Sequence, residues 1–483
     1  MFKSKILNLL LLFLIIIVVM SFSMYGCKTT TSTETTAAAE TTAAAETTAA
    51  VETTTAETQA AGTPSIKEPE NKVTLELWYQ EWAGGQSWQT AWIPKFEEKH
   101  PNIKINVTFL PFEELNTKIF PAISAGNEAD LLMFYDEWLL GKDASKIFAP
   151  ITPQLYSKEE IRKVTFESAL SRVTGSDGEI YGVPWGTGAN AAGILIHKDL
   201  FDEAGIDQNT IKTWDDVKDA AKKLAKYKAD GKIERSGIIF TYTEAANLFL
   251  DIIAEQGAAD KMLNVDTGEW NLNIPEAKNS LELLKSFVDD KTFDPTSGDP
   301  FTSFPNKLSA MLVIGPWALG AWGDQYPDLK LDYMYMPKYP GVDKNVHTVV
   351  SWACMAVSKR LEGEKRDAAL IYIKEMLENP EFYDIPFKNG FWVGVPGSKS
   401  YVDNVVKLAA EGNAPNRAAE IAATVASEYV PSIKLLQTKI SEPDLIRAII
   451  FPELQNVFLG QKTVDEALNY LTTTLTTKEK ELR

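Results

Sequence analysis

Hydrophobic and polar residues begin to alternate at residue 73. Val73, Leu75 and Leu77 alternate with polar neighbours, residues 103–109 repeat this pattern, and residues 86–100 between them have helical spacing. This order predicts a βαβ unit with a parallel sheet. A helix over residues 112–125 and a third strand over residues 130–134 are expected to extend the unit.

The ends of these strands indicate where a ligand would bind. In open parallel sheets, ligands bind beyond the carboxyl ends of the strands. The segments of residues 79–86 and 135–138 follow two of the predicted strands. Both are therefore expected on the rim of a cleft.

A second local pattern runs from residue 181 to residue 231. Pro184 fixes its own φ and extends the residue before it, which predicts a strand-like connection. Thr213 is a candidate N-cap, with Asp216 three residues later at the positive helix end. Val217 begins the apolar face of the helix that follows. Gly231 is expected to end that helix.

The amino terminus differs from the rest of the chain. Lys3 and Lys5 precede a run of residues 6–20 that is apolar except for Asn8, which is too short for a membrane span of about 20 residues. The four residues ending in Cys27 resemble a bacterial lipobox, although Met24 and Tyr25 depart from the usual pattern. Residues 1–27 are therefore predicted to be a lipoprotein signal peptide with Cys27 lipidated. A simple signal peptide or an uncleaved anchor is the alternative.

Residues 28–70 are nearly all Thr, Ala and Glu. Such a segment buries too little apolar surface to offset chain entropy, so it is predicted to be a disordered tether. The only cysteines of the chain are Cys27 and Cys354. If Cys27 is lipidated, the fold must be stable without a disulfide.

Charge and catalytic motifs exclude several classes of function. The chain carries 48 basic and 66 acidic residues, a net charge of −18, which argues against nucleic-acid binding. Its three histidines lack the spacing of metal ligands, and no phosphate loop or Gly-x-Ser-x-Gly turn is present, so no metal, cofactor or catalytic residue is predicted. With 66 acidic residues, a glycosidase carboxylate pair remains an open alternative.

Several motifs together resemble family 1 extracellular solute-binding proteins. They lie at residues 95–104, 123–130, 181–185, 193–201, 204–205, 213–217, 307–317 and 460–468. The resemblance covers most of residues 73–475, and Glu128-Ala129 departs from it where the family often has a proline. It implies a receptor that captures a ligand, with no enzymatic activity.

The resemblance implies an α/β, two-lobed, periplasmic-binding-protein-like (type II) fold with a ligand cleft between the lobes. The N-lobe would consist of residues 71–186 and 346–385, and the C-lobe of residues 187–345 and 386–483. Crossovers between the lobes are expected near residues 185–190, 343–348 and 383–390.

Aromatic residues favour carbohydrate as the ligand class. The apolar faces of a sugar stack on indole and phenol rings, and its hydroxyls need polar partners. Trp214, Trp270 and Trp322 are predicted to be structural. The predicted ligand-binding residues are Glu81, Trp82, Gln86, Asp136, Glu137, Trp138, Trp185, Tyr242, Trp317, Trp352 and Trp392. For any one tryptophan, a core position is an equal alternative, and the carboxylates could be solvated surface groups.

The resemblance implies a substrate-binding lipoprotein of an ABC importer. It would act as a monomer, be anchored outside the cytoplasm through Cys27, close around a mono- or oligosaccharide, and dock on the transmembrane permease subunits. A lipid-anchored glycoside hydrolase and a sugar-sensing receptor are the alternatives.

Overall fold

A computed structural model describes residues 66–187, 193–348, 351–389 and 394–483. The predicted signal peptide, Cys27 and nearly all of the tether lie outside the described residues. In the part of the chain that is described, no helix is both long and apolar enough to span a membrane.

The chain begins with a parallel unit. Its elements are β1 (Val73–Gln80), α1 (Ala83–Lys99), β2 (Ile103–Leu110), α2 (Phe112–Ala125), β3 (Leu131–Tyr135), α3 (Lys158–Val164), α4 (Glu167–Leu170) and β4 (Val183–Thr187). β1 pairs in parallel with β2, with Val73 opposite Ile103, and also in parallel with β3. The predicted βαβ unit and third strand are therefore confirmed.

The middle of the chain forms a second sheet. Its elements are β5 (Gly193–His197), α5 (Lys198–Glu203), α6 (Trp214–Leu224), β6 (Lys226–Tyr227), β7 (Ile233–Phe240), α7 (Tyr242–Ile253), α8 (Ala259–Met262), β8 (Leu263–Asn264), β9 (Glu269–Trp270), α9 (Pro275–Asp289), α10 (Pro300–Ser303), β10 (Ser309–Val313), α11 (Trp317–Gln325) and β11 (Leu331–Tyr335). The strand order is β11-β5-β10-β7-β6. The chain thus leaves the first sheet between residues 187 and 193.

The last part of the chain covers both sheets. Its elements are β12 (Trp352–Val357), α12 (Gly363–Glu378), α13 (Pro380–Asn389), α14 (Lys399–Ala410), α15 (Arg417–Thr424), α16 (Phe451–Phe458) and α17 (Val464–Glu481). β12 inserts between β3 and β4 and completes the first sheet in the order β2-β1-β3-β12-β4. α12 packs on β1 of the first sheet, whereas α16 and α17 pack on α9 beside the second. The fold is two-lobed, with one sheet in each lobe.

Helix α6 shows how local sequence sets an element boundary. Thr213 accepts a hydrogen bond from the Asp216 amide, and the Asp216 carboxylate accepts one from the Thr213 amide, so the predicted cap is a complete capping box. The prediction for Gly231 was wrong, because α6 already ends at Leu224. Gly231, with φ of 81°, instead lies in the turn between β6 and β7.

Candidate ligand-binding site

The first wall of the site is the turn after β3. β3 is buried and apolar, and the chain turns at its end in a short 3-10 helix, Asp136–Leu139. Asp136 is fully buried there. One carboxylate oxygen accepts a hydrogen bond from the Trp352 amide at 2.8 Å, and the other lies 3.4 Å from Arg172 Nη1. Burial raises the pKa of Asp136, and Arg172 opposes that shift.

Aromatic rings pack around this turn. Trp352, at the start of β12, is buried and stacks on Phe166 with ring centroids 5.5 Å apart. Trp138 is also buried, and its ring contacts Tyr135 and Phe112. The first wall therefore combines a hydrogen-bonded carboxylate with buried aromatic rings.

The end of β1 brings three of the predicted residues together. Glu81 is exposed, and its carboxylate accepts a hydrogen bond from Gln86 Nε2 at 3.2 Å. Trp82 is half-buried at the N-cap of α1, where its indole lies so close to Gly85 that a β-carbon there would clash with it. α1 in turn contacts α11 of the other lobe, which begins with the half-buried Trp317. Two partly exposed indoles thus lie at the ends of helices that meet between the lobes.

Helix α7 forms the second wall. Glu244, Asn247 and Asp251 are buried and lie on one face, because their spacing is three and four residues. Asp251 accepts hydrogen bonds from the Thr348 amide at 2.7 Å and the Thr348 hydroxyl at 2.9 Å, and it pairs with His347 at 3.0 Å. At the carboxyl end of this polar face, both oxygens of the Asp251 carboxylate therefore have hydrogen-bond partners.

At the amino end of α7, several buried polar side-chain atoms lack hydrogen-bond partners among the described residues. Among the described residues, neither polar atom of the Asn247 side chain has a hydrogen-bond partner, and neither does Thr241 Oγ1. The Tyr429 hydroxyl is also buried and has no hydrogen-bond partner in the described part of the chain, while its ring packs on His347 with centroids 4.1 Å apart. Buried polar atoms without partners are costly, so such a cluster indicates groups that serve a ligand.

Tyr429 links the two walls electrostatically. Burial raises its pKa, and the carboxylates of Asp251 and Asp136 raise it further. The Tyr429 hydroxyl is therefore within electrostatic range of an acidic group from each lobe.

A chain of charged groups also crosses between the lobes. Arg447 lies in a helical segment, Pro443–Ile450, that packs on α7, and its Nη1 is 2.6 Å from Glu113 on α2. Arg447 also pairs with Glu442 at 3.3 Å.

Burial raises the pKa of Glu137, and the nearby Glu442 raises it further. Burial raises the pKa of Glu244 to about 7.

The remaining predicted residues lie elsewhere or are not described. Trp185 is buried in β4 in an aromatic cluster with Tyr79, at 5.8 Å between centroids, and Trp88, at 5.2 Å. Tyr242 begins α7, and Trp392 lies outside the described residues. Within the described ranges, no group of three or more His, Cys, Asp or Glu side chains could hold a metal ion.

Sequence reasoning missed several residues of this region. These are Arg172, Thr241, Glu244, Asn247, Tyr429, Glu442 and Arg447. One signal was available, because Glu244, Asn247 and Asp251 interrupt an otherwise apolar helix at helical spacing. Polar residues on one face of such a helix, directly after an apolar strand, could have pointed to the second wall.

Known proteins resemble this chain in sequence and in fold. The model of the bacterial extracellular solute-binding protein family matches residues 79–380. A binding protein of Brucella abortus is 30% identical over 274 residues, which are 56% of this chain and 64% of that protein. The arabinooligosaccharide-binding protein of Bacillus subtilis is 28% identical over 49% of this chain and 54% of its own length. The chain therefore spans less than two thirds of the length of these relatives.

Solved structures share the fold at lower sequence identity. An ABC substrate-binding protein from Listeria monocytogenes, in complex with cycloalternan, superposes with a TM-score of 0.65 at 23% identity, covering 84% of this chain and 99% of that one. The sugar-binding protein MalE from Xanthomonas citri superposes with a TM-score of 0.65 at 18% identity, covering 85% and 98%. The family model covers well over half of the 483 residues. The chain belongs to the bacterial extracellular solute-binding protein family.

Proposed function

We propose that this protein is the substrate-binding lipoprotein of an ABC importer. It captures a carbohydrate by closing two lobes and delivers it to a membrane permease. The observation that carries this proposal is the set of buried polar atoms of Asn247, Thr241 and Tyr429 that lack partners among the described residues, with the Tyr429 hydroxyl in electrostatic range of Asp136. A ligand rich in hydroxyls can supply both the donors and the acceptors that these atoms need.

Carbohydrate is favoured because the region combines aromatic and polar groups. Trp82 and Trp317 are half-buried at the ends of contacting helices from the two lobes. Their indole faces can stack on the apolar face of a sugar ring. Glu81 and Gln86 lie beside Trp82 and can form hydrogen bonds with the hydroxyls of the sugar. The relative from Bacillus subtilis is named as an arabinooligosaccharide-binding protein, which supports an oligosaccharide ligand.

Hinge closure is favoured by the chain topology. The moving bodies are residues 71–186 with 346–385 and residues 187–345 with 386–483. Strands β4 and β5 lie in different sheets, as do β11 and β12, and the chain returns to the second lobe between α12 and α16, so three connections cross between the lobes. A ligand that contacts both lobes shifts the population toward the closed form.

Membrane attachment and the permease partner complete the proposal. Cys27 is the lipidated residue, and residues 28–70 form the tether that holds the receptor outside the cytoplasm. The protein acts as a monomer, and the surface of its closed form docks on the transmembrane subunits. A relative from Pyrococcus horikoshii is named as an ABC transporter extracellular-binding protein and is 25% identical over 304 residues, which supports this partner.

The test is calorimetric titration of the full-length chain in detergent with arabino- and malto-oligosaccharides. We expect saturable binding, with intact sugar recovered by mass spectrometry. Recovery of cleaved sugar would show a hydrolase, and no binding across the panel would contradict the carbohydrate assignment.

Two tryptophans of α11 give a matched pair of variants for this titration. Trp322 is buried against Phe301 and Phe304, whereas Trp317 on the same helix is half-buried. We expect Trp317→Ala to weaken binding about 10-fold or more with little loss of stability. Trp322→Ala should instead destabilise the fold by about 3–5 kcal/mol. An equal loss of stability in both variants would place Trp317 in the core.

A further inference from the structure

A cavity of about 540 Å³ lies in the second lobe, on the outer side of β11. Its walls are β11 and the residues after it, the segment of residues 208–213 before α6, and α15 with the turn that follows. Its volume falls within the range of roughly 300–1,000 Å³ that is typical of small-molecule sites. None of the unpartnered atoms of Asn247, Thr241 and Tyr429 belongs to its lining.

β11 is the outer strand of its sheet, and polar contacts engage both ends of the segment that lines this β11 cavity. At one end Arg417 pairs with Asp332 at 2.9 Å and reaches the Tyr333 carbonyl at 3.5 Å. At the other end the Trp214 amide donates to the Lys338 carbonyl, and the Lys338 amide donates to the Lys212 carbonyl. These contacts leave no continuous strand edge for an extended peptide to join. The cavity is therefore suited to a small molecule.

Gln208 gives the cavity a buried, unpartnered acceptor. The side chain is 7% exposed, and its Nε2 donates to Asp332 Oδ2 at 2.5 Å, which fixes the orientation of the amide. Among the described residues, nothing donates to its Oε1. A ligand in the cavity that carries a hydroxyl or N–H group would remove this desolvation cost.

The charged groups of the lining identify the class of ligand. Arg417 is held by Asp332 and Glu420, and the Lys338 amine donates to the Asp343 carbonyl at 2.7 Å. Lys212, Lys338 and Glu428 form no ion pair among the described residues. Together with Arg417 and its partners Asp332 and Glu420, the region holds three cations and three anions and therefore carries no net charge. An anion or a cation would meet a like charge on one wall, whereas hydroxyl groups can serve both walls.

We propose that the β11 cavity is a second binding site, for a neutral polyhydroxylated molecule of monosaccharide to disaccharide size. The site does not depend on what binds between the lobes. It lies against the segment that leads to the second lobe connection, because Asn345 and Tyr335 line it and the Tyr335 hydroxyl lies 3.3 Å from His347. Asn345 is itself fixed there by donating to the Met336 carbonyl at 3.1 Å.

A thiol placed in the cavity tests the proposal. Thr424 lines the cavity on α15 and is half-buried, and Cys354 is buried. In the full-length chain with Cys27→Ser, we would measure how fast the thiol of Thr424→Cys reacts with a maleimide in the presence of D-mannitol, D-glucose or maltose. We expect at least one of these sugars to slow the reaction saturably. The control is Ser427→Cys, an exposed position outside the lining, where no sugar should protect.

Two further variants separate this site from the one between the lobes. Protection at Thr424→Cys should persist in Trp317→Ala, whereas Gln208→Leu should weaken it about 5- to 10-fold through loss of one hydrogen bond. Glu428→Ala, at an exposed position, should also weaken protection, and it replaces Gln208→Leu in the test if that variant does not fold. Absence of protection by all three sugars would overturn the proposal. So would protection that disappears in Trp317→Ala but survives the two cavity substitutions.

Discussion

The two walls of the site differ in how completely their polar groups are satisfied. Asp136 on the first wall accepts from the Trp352 amide and pairs with Arg172. On the second wall, Asn247 and Thr241 are also buried but have side-chain atoms that find no partner within the described ranges. A satisfied group stabilises the fold with or without a ligand, whereas an unsatisfied group gains its bond only when a ligand arrives. The difference predicts which residues build the site and which residues bind the ligand.

The largest effect is expected from breaking the first wall. Asp136→Ala leaves the buried Arg172 and the Trp352 amide without this acceptor, so we expect a loss of about 3–5 kcal/mol in the free energy of unfolding. Chemical denaturation would measure it. Asp136→Asn, which keeps an acceptor for the Trp352 amide, should lose less free energy of unfolding. Full stability in Asp136→Ala with abolished sugar binding would move Asp136 to the ligand-binding group.

A pH dependence is expected from Glu244 on the second wall. Burial raises its pKa to about 7, so in the folded protein it keeps its proton between its ordinary pKa of about 4.5 and about 7. This contribution to stability is complete below about pH 4.5 and is lost as the pH rises through about 7.

Glu244→Gln should therefore reduce the stability difference between about pH 5 and pH 8 by up to about 3 kcal/mol. Thermal denaturation at the two pH values would measure it. Glu282→Gln, at an exposed position on α9, is the control and should leave the pH dependence as it is. An unchanged pH dependence in Glu244→Gln would contradict the raised pKa.

Substitution of Asn247 tests the comparison most directly, because its two expected effects have opposite signs. Asn247→Leu removes unpartnered polar atoms, so stability should be unchanged or rise by about 1 kcal/mol. Sugar affinity should fall about 10- to 100-fold through the loss of one or two hydrogen bonds. Calorimetry and denaturation on the same sample would measure both quantities.

The control for this variant is Asn279→Leu. Asn279 is exposed and donates to Gln256 at 2.9 Å, and neither residue belongs to the polar groups of the two walls, so its loss should leave affinity unchanged. If Asn247→Leu destabilised the protein and bound sugar normally, Asn247 would be a structural residue.

The smallest effect is expected from the ion pair that crosses between the lobes. Glu113 is largely exposed, and such pairs contribute about 0.2–1 kcal/mol. Glu113→Gln should therefore weaken sugar affinity about twofold, because loss of the ion pair with Arg447 favours separation of the lobes. Titration at low salt would detect it. The neighbouring Glu114→Gln, whose partner Lys118 lies within the same helix, should show no change.

Local sequence predicted the elements that depend on local interactions. The helix over residues 112–125 and the capping box at Thr213 are present as expected, because periodicity and cap chemistry act within one or two turns. Gly231 shows the limit of this reasoning. A glycine after a helix is compatible both with a helix end and with a hairpin turn, and only the pairing of β6 with β7 decides between them.

The candidate site was less predictable because it depends on contacts between distant segments. Asp136 could be named from its place after β3, but its partner Arg172 comes from a 3-10 turn with no motif of its own. Asn247 lies in a helix where only tertiary packing decides which polar atoms find partners. Trp185 could be placed on a strand, but its contacts with Tyr79 and Trp88 require the assembled lobe.

The position of β12 in the first sheet constrains the order of events during biosynthesis. β12 separates β3 from β4, so β4 joins its sheet only through a strand that ends at Val357. The ribosome must therefore finish the whole second sheet before the first can close. Pairing of such distant segments is slow. A nascent chain built in this way keeps its first lobe open long after synthesis begins.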